Sequence, residues 1–345
     1  MPGKSVHAWV ASRARTLVLA SLLVVASAAV AAEGGARIRD NLYGTRFVSP
    51  TDGWAVGAFG TIVRTHDAGA TWRPQVSHTV EHLFSVDFAD AQHGWVVGRS
   101  GTILHTTDGG DTWQAQAAPL DRHLFKVVAL DPTHAWIVGD WGCILATSDA
   151  GKTWRNRSLD RDVILNSQAW PDAQHGWIVG EAGTILASSD GGATWADQPA
   201  GVQKTLFGVA FTDLQHGWAV GIDGVIVHTT DGGQTWQVQH GVTEVSALEQ
   251  VGFAEALENP SLYDVAVVGD IAYAVGDIGA VFLSRDGGTT WRRQELPGEL
   301  GWIRSASLVQ GTHGLFVGAS GLAIRVAGAQ ISVAQKEEHA PEATH

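Results

Sequence analysis

A period of 41 residues in tryptophan and glycine is the feature that most restricts how this chain can fold. The period is kept by Trp72, Trp113, Trp154, Trp195 and Trp236, and by Gly57, Gly98, Gly139, Gly180 and Gly221. The next members, Trp291 and Gly276, follow after 55 residues, so extra residues are inserted there, and Gly318 is the seventh glycine. A fixed period of this size indicates a repeat architecture. The chain therefore contains seven copies of one unit.

Each copy contains four short strand signals separated by turn sequences. In the second copy they read LFSVDF, WVVG, TILHT and TWQAQ, with apolar alternation typical of β structure. Four antiparallel strands repeated about every 40 residues are typical of a propeller blade. We predict an all-β, seven-bladed β-propeller over residues 36–335, with blades at 42–77, 82–118, 123–159, 163–199, 205–240, 262–297 and 302–335.

The last copy lacks the turn that precedes tryptophan in the others, and Val333 falls in the tryptophan column. Two closures of the ring remain open. Either the seventh blade supplies its own outer strand, or residues 36–40 add an edge strand to it.

The first residues are typical of an export signal. Lys4, Arg13 and Arg15 precede the apolar run Leu17 to Val25, and small residues follow up to Ala32. We expect residues 1–32 to direct the chain to the periplasm and to be removed, with retention as a membrane anchor as the alternative. Removal takes the formal net charge from −13 to −16, which argues against nucleic acid and anionic lipid as partners.

Two further segments interrupt or follow the repeats. Residues 241–261 carry apolar residues at helical spacing after Thr243, so we predict a short helical insertion between blades 5 and 6. The polar residues 336–345 are predicted to be a disordered tail. Cys143 is the single cysteine, which excludes an internal disulfide and is interpreted as a small packing residue.

Six copies contain the pattern Ser/Thr-x-Asp-x-Gly-x-Thr-Trp, which is known as the Asp-box. The aspartate can accept backbone N–H groups within a hairpin turn, glycine supplies a positive φ, and tryptophan fills the blade. We interpret the motif as structural because it recurs periodically around the ring. Its members are Asp67, Asp108, Asp149, Asp190, Asp231 and Asp286, followed by Trp72, Trp113, Trp154, Trp195, Trp236 and Trp291.

The Asp-boxes occur together with a second repeated motif, which stands as GWAVGAFGTI, GWVVGRSGTI, AWIVGDWGCI, GWIVGEAGTI and GWAVGIDGVI. This combination resembles the photosystem II stability/assembly factor family across residues 42 to about 327. The resemblance implies an exported, non-enzymatic propeller that binds a membrane protein during assembly of its complex, without a cofactor. Family members use a basic patch for this purpose, whereas the present chain is acidic. The expected client is a photosystem II component or another membrane complex, such as an exporter.

A glycan-active enzyme or glycan-binding module of the sialidase type is the alternative function. That chemistry requires an arginine cluster and a tyrosine nucleophile. Tyr43, Tyr263 and Tyr273 align with Phe or Trp in other copies and are interpreted as core residues. His93, His134, His175, His216 and His313 share one turn column and show no metal-ligand spacing. We therefore predict no catalytic and no metal site.

The turn between the second and third strands varies from copy to copy, while its frame is constant. Propeller topology places this turn on the same face as the connectors between blades. We predict that a monomeric protein binds its client with this face, with apolar tips as anchors and Arg99 pairing a client carboxylate. For Trp141, packing back onto its own blade remains an alternative. The predicted contact residues are Phe59, Arg99, Trp141, Glu181, Asp223 and Ile278.

Overall fold

A computed structural model of the chain describes residues 38–241, 259–309, 313–327 and 330–335. All of them belong to one compact unit, Gly35–His345. The predicted signal 1–32, the predicted tail 336–345 and residues 242–258 of the predicted helical insertion lie outside the described residues.

The described strands form seven antiparallel sheets of four strands each, which confirms the predicted seven-bladed propeller. Each sheet follows chain order from the strand next to the central axis outward. The first strands of the blades are Leu42–Phe47 (β1), Leu83–Phe88 (β5), Leu124–Ala129 (β9), Leu165–Ala169 (β13), Leu206–Phe211 (β17), Leu262–Val268 (β21) and Ile303–Val309 (β25). The second strands are Gly53–Gly57 (β2), Gly94–Gly98 (β6), Ala135–Gly139 (β10), Gly176–Gly180 (β14), Gly217–Gly221 (β18), Ile271–Gly276 (β22) and His313–Gly318 (β26).

The outer half of each blade is a shorter hairpin. The third strands are Ile62–Thr65 (β3), Ile103–Thr106 (β7), Ile144–Thr147 (β11), Ile185–Ser188 (β15), Ile226–Thr229 (β19), Val281–Ser284 (β23) and Ala323–Ala327 (β27). The fourth strands are Arg73–Gln75 (β4), Gln114–Gln116 (β8), Arg155–Asn156 (β12), Ala196–Asp197 (β16), Gln237–His240 (β20), Arg292–Arg293 (β24) and Gln330–Gln335 (β28).

The seventh blade contains its own fourth strand, because β28 pairs with β27. Within that hairpin Ile331, not Val333, takes the register position of the Asp-box tryptophan, since it lies opposite Val326 while Val333 lies opposite Ile324. The loop is two residues shorter than an Asp-box turn, so alignment by residue number is shifted. Blade 7 then packs on blade 1, where the Ser307 hydroxyl accepts a 2.9 Å hydrogen bond from the Phe47 amide.

The core lies between successive blades. Between blades 1 and 2, for example, Trp54 and Ile62 pack against Leu83, Val96 and Trp113, and all five are buried. Because every blade covers the apolar face of its neighbour, no single blade can bury its core alone.

The repeated glycine that ends each second strand is required by a close approach to the preceding strand. A Cβ on Gly57 would lie 2.0 Å from the Asn41 carbonyl oxygen, and one on Gly98 would lie 2.1 Å from that of His82. The backbone of Gly57 is extended, with φ of −165°, so the requirement is space and not a left-handed conformation.

Helical geometry among the described residues is limited to 3-10 turns of three residues, at Ala58–Gly60, Glu181–Gly183, Ile222–Gly224, Asp277–Gly279 and Ala319–Gly321. The described ends of the predicted helical insertion, Gly241 and residues 259–261, are not helical. No helix within the described ranges is long and apolar enough to span a bilayer.

Candidate functional site

The turns of the propeller are divided between two faces. The connector face carries the turns between second and third strands, which bond to the chain entering the blades: the Ala58 amide donates to the Asn41 carbonyl at 2.9 Å. The Asp-box face carries the turns between first and second strands together with the Asp-boxes, and the Gly109 amide donates to the Gln92 carbonyl there at 2.9 Å. The predicted contact residues all lie on the connector face, each in a different blade.

Every turn on the connector face has the same backbone form. The Thr61 amide donates to the Ala58 carbonyl at 3.0 Å, and the two residues between them have positive φ, as in a type I′ turn. The second of these residues is always glycine. The first is not, although its φ lies between 47° and 58° in all seven turns: Phe59, Ser100, Trp141, Ala182, Asp223, Ile278 and Ser320.

Three of these left-handed positions hold large apolar side chains that are exposed. The exposed fraction is 68% for Phe59, 53% for Trp141 and 43% for Ile278. The Trp141 ring is covered by the Arg122 guanidinium, 5.2 Å from the ring centroid, but half of the side chain stays open to solvent. The apolar tips are therefore available for contact on this face.

The charged residues among the predicted contacts differ in exposure and in whether they are already paired within the protein. Arg99 is exposed at its turn, and Glu181 is half-buried. The Asp223 carboxylate lies 2.7 Å from Lys204 Nζ, an ion pair within the protein. Glu181 precedes the left-handed position of its turn, which is held by Ala182. The six predicted residues thus form a ring of separate tips and do not converge on one point.

A cavity of 370 Å³ opens on the axis among the starts of the first strands, at the connector face. Seven register-equivalent side chains line it, each at the second position of its strand: Tyr43, Phe84, Phe125, Asn166, Phe207, Tyr263 and Arg304. The interpretation of Tyr43 and Tyr263 as core residues is therefore wrong, because both are half-buried at this cavity; Tyr273 is fully buried in the core. The sequence signal for the ring was an aromatic residue after the first leucine of five strands.

The Asp-box carboxylates bond to their own turns. Asp108 accepts hydrogen bonds from the Thr112 amide at 2.9 Å, the Thr112 hydroxyl at 2.6 Å and the Thr106 hydroxyl at 2.7 Å. Burial raises the pKa of Asp108, but these hydrogen bonds outweigh it and lower that pKa to about 2. Equivalent bonds occur at Asp67, Asp149, Asp190, Asp231 and Asp286. These carboxylates therefore accept hydrogen bonds from their own turns.

The Asp-box tryptophans lie at the blade interfaces. Trp72, Trp113, Trp154 and Trp236 are buried, and Trp195 and Trp291 are partly buried. In three of the interfaces the indole Nε1 donates to a glutamine of the preceding blade: Trp113 to Gln75, Trp154 to Gln116 and Trp291 to Gln239. At these three interfaces, neighbouring blades are joined by a polar contact as well as by packing.

The histidine column is held by local contacts. His93, His134, His175 and His216 each place Nδ1 within 2.9 Å of an aspartate three residues earlier, and His313 is exposed. Among the described residues, no group of three or more His, Cys, Asp or Glu side chains is arranged to hold a metal ion. Cys143 is buried, which raises the pKa of its thiol to about 11 and disfavours the reactive thiolate.

The sequence model for the photosynthesis system II assembly factor YCF48 matches residues 75–163 and 195–310, more than half of the chain. The chain belongs to the YCF48 family. The matched ranges include Arg99, Trp141, Asp223 and Ile278, and they exclude Phe59 and Glu181. A search of curated proteins gives no match.

Three solved structures similar to this chain have TM-scores of 0.65 to 0.67 and identities of 22% or less, so they support the fold alone. A structure described as YCF48 bound to D1 peptide is 22% identical, covers 84% of this chain and 92% of its own, and has a TM-score of 0.67. YCF48 from Cyanidioschyzon merolae is 20% identical, with coverages of 84% and 96% and a TM-score of 0.65. Virginiamycin B lyase from Staphylococcus aureus is 10% identical, with coverages of 85% and 97% and the same TM-score of 0.65.

Proposed function

We propose that this YCF48-family protein is a non-enzymatic, exported assembly or accessory factor that binds a membrane protein complex through its connector face. The observation that carries the proposal is the presence of Phe59, Trp141 and Ile278 as exposed apolar tips on that one face. Large aromatic and aliphatic side chains are the usual anchors of protein interfaces.

The backbone at these tips strengthens the argument. A left-handed conformation costs roughly 1–2 kcal/mol for a residue with a Cβ, and glycine or asparagine adopts it more readily. Ile278, which is β-branched, has φ of 47°, and Trp141 has φ of 54°. In the free protein, the backbone strain and the exposed apolar surface both cost free energy. Burial of these side chains against a client would stabilise the complex and so offset that cost.

The charge of the face indicates which surface it fits. Among the first positions of the seven turns, Asp140, Glu181 and Asp277 are acidic and Arg99 is basic, and Lys204 is already paired with Asp223. A client with an apolar patch flanked by basic residues therefore complements this face, with Arg99 available for one client carboxylate. This differs from the basic patch that the family resemblance implies.

The proposed client is a subunit of a membrane complex. A similar YCF48 structure contains a D1 peptide, which supports a client of this class. We propose a photosystem II reaction-centre protein as the first candidate, with a different membrane complex, such as an exporter, as the alternative that the same experiment identifies. A rigid ring that presents many short turns loses little conformational entropy on binding.

A pull-down with matched variants tests the proposal. The purified protein is immobilised and exposed to detergent-solubilised membranes of the source cell, and the retained proteins are identified by mass spectrometry. We expect one membrane complex to be retained, and Trp141→Asn to weaken retention by on the order of 2 kcal/mol if Trp141 is a central anchor. Asparagine suits the left-handed backbone, so the variant tests the side chain and not the turn.

The control is His134→Gln on the Asp-box face, which should retain the complex as the wild type does. Loss of the complex from His134→Gln, together with full retention by Trp141→Asn, would place the interface on the opposite face. A complex of soluble proteins alone, retained in place of a membrane protein, would contradict the proposed class of client.

Export is tested separately, by N-terminal sequencing of the protein from a periplasmic fraction. The expected mature chain begins after Ala31 or Ala32. A full-length chain found only in the membrane fraction would favour the retained anchor instead.

A further inference from the structure

The axial cavity contains an arginine without a charged partner. Arg304 is the seventh member of the ring that lines the cavity, where five of the other six are phenylalanine or tyrosine, each in contact with another of these rings. Among the described residues, no carboxylate lies within salt-bridge distance of its guanidinium, and no acceptor lies within hydrogen-bond distance of its N–H groups.

The surroundings of Arg304 are aromatic. Its guanidinium lies 4.6 Å from the centroid of the Tyr263 ring and 5.9 Å from that of Phe207. Burial lowers the pKa of Arg304, while Tyr263 and Asp264 act in the opposite direction, and an arginine remains protonated at neutral pH. Arg304 is half-buried, and with no carboxylate in direct contact its guanidinium can pair with a bound anion.

The nearby carboxylate is not available as that anion. Asp264 accepts hydrogen bonds from the Val265 amide at 3.0 Å, the Ser305 hydroxyl at 3.1 Å and the Ala306 amide at 3.0 Å. These bonds engage both of its oxygens, and no salt bridge forms between Asp264 and Arg304. Lys126 lines the same cavity and adds a second cation, so the charge balance of the cavity favours an anion even though the whole chain is acidic.

We propose that the axial cavity is a binding site for a small organic carboxylate with an apolar ring. The Arg304 guanidinium pairs the carboxylate, in the two-pronged geometry that arginine favours, and the rings of Phe84, Phe125, Phe207 and Tyr263 contact the apolar body. The volume of 370 Å³ lies within the roughly 300–1,000 Å³ of small-molecule sites. The site is separate from the exposed tips, although a client on the connector face would cover its mouth.

The same chemistry can come from a free molecule or from the last residue of a polypeptide, and the experiment separates the two. Isothermal titration uses 3-phenylpropionate as the free ligand, with 3-phenylpropanamide as its neutral counterpart. A second pair is a hexapeptide that ends in phenylalanine, with a free or an amidated carboxyl terminus. We expect the free acid to bind at least tenfold more tightly than the amide, with the peptide pair showing no such ratio.

Variants assign the binding to Arg304. Arg304→Asn should weaken phenylpropionate binding at least tenfold, and asparagine already stands at the equivalent position of blade 4 as Asn166. Arg304→Lys keeps the charge but not the two-pronged geometry, so a smaller loss is expected. The control is Arg73→Gln, an exposed arginine on the outer strand β4, which should bind as the wild type does.

The possible outcomes are distinct. Equal binding of acid and amide, no binding of the acid by the wild type, or full binding by Arg304→Asn would overturn the proposal. A tenfold preference for the free acid in the peptide pair only would assign the cavity to a polypeptide end and overturn the assignment to a free molecule. If Arg304→Asn does not fold, two other measurements test the proposal. They are the ratio of wild-type affinities for phenylpropionate and phenylpropanamide, and the affinity of Arg304→Lys for phenylpropionate.

Discussion

The indole Nε1 of Trp113 donates a hydrogen bond of 3.1 Å to Oε1 of Gln75 in the preceding blade. The same pair occurs between Trp154 and Gln116 at 3.0 Å, and between Trp291 and Gln239 at 2.9 Å. Arg157 occupies the glutamine position before Trp195, and the Trp195 Nε1 is buried without a partner. The Nε1 atoms of Trp72 and Trp236 are also buried without a partner, so three of the six Asp-box tryptophans make this polar contact and three do not.

The first prediction concerns this contact. Gln75→Leu should destabilise the protein by about 1–3 kcal/mol, because the Trp113 N–H is left buried without an acceptor. Arg157→Gln should instead stabilise it by about 1 kcal/mol, by placing an amide oxygen where it can accept from the Trp195 Nε1 as Gln75 does from Trp113. Chemical denaturation measures both. The two variants need not change the free energy of unfolding by equal amounts. Stabilisation by Gln75→Leu would contradict a stabilising hydrogen bond between Trp113 and Gln75.

The period of the sequence predicted the blades, but it did not predict the axial ring. In β1, Leu42 is fully buried and its neighbour Tyr43 is half-buried, because successive side chains of a strand point to opposite sides. Local pattern shows that both positions are apolar, and aromatic residues are most often found in cores. Whether the second side meets another blade or an open axis depends on how many blades close the ring, which no single copy encodes.

The position of the connector face, unlike that of the axial ring, could be predicted from single copies of the repeat. Its residues vary while the turn frame is constant, and the strand directions of a propeller fix the face on which each turn lies. The left-handed conformation of Trp141 was not predicted, because it comes from the turn type and tryptophan rarely adopts it. The ion pair of Asp223 with Lys204 was not predictable, because it joins two separate segments of the chain. The seventh blade was misaligned at Val333 because its hairpin has lost two residues.

The second prediction concerns the glycine that ends the second strand. Gly98→Ala should cost about 3 kcal/mol or more, because its Cβ would lie 2.1 Å from the His82 carbonyl oxygen and backbone must move. Gly269→Ala is the control: it has φ of 58° but no heavy atom within 4 Å of the added Cβ. That variant should lose only about 1–2 kcal/mol from backbone strain. Thermal unfolding of both ranks them, and a larger loss at Gly269 would contradict the argument from space.

The third prediction is a loss of stability in acid that arises from the Asp-boxes. The amide and hydroxyl of Thr153 lower the pKa of Asp149 to about 2, and those of Thr194 do the same for Asp190. A carboxyl with a lowered folded-state pKa stabilises the protein above its unfolded pKa of about 4 and loses this contribution as pH falls toward 2. The melting temperature should therefore fall steeply between about pH 4 and pH 2.

Asparagine variants test the assignment of this acid transition. Asp149→Asn should make the fall between pH 4 and pH 2 shallower, because one titrating turn is removed. The control is Asp160→Asn, an exposed aspartate outside the turns, which should leave the profile unchanged. An unchanged profile for Asp149→Asn would assign the transition to other carboxyls.

The fourth prediction is that the protein does not hydrolyse sialosides or aryl glycosides. Sialidase chemistry uses an arginine cluster with a tyrosine nucleophile, and the cavity that contains Tyr43 and Tyr263 is lined by one arginine, Arg304. A chromogenic substrate screen at neutral and acidic pH should show no turnover above background. Turnover that persists through purification and is abolished by Tyr263→Phe would establish the glycan-active alternative.

The last prediction contrasts two tryptophans with opposite roles. Trp113 is 4% exposed between blades 1 and 2, so Trp113→Ala should destabilise the fold by about 3–5 kcal/mol through the cavity that it leaves. Trp141 is 53% exposed and has φ of 54°, so Trp141→Asn should leave the melting temperature unchanged or raise it, because asparagine tolerates the left-handed backbone. Calorimetry of the two variants separates packing from surface function. Unfolding of Trp141→Asn would show that the Arg122 contact holds the turn in place and that this tryptophan serves the fold instead of a client.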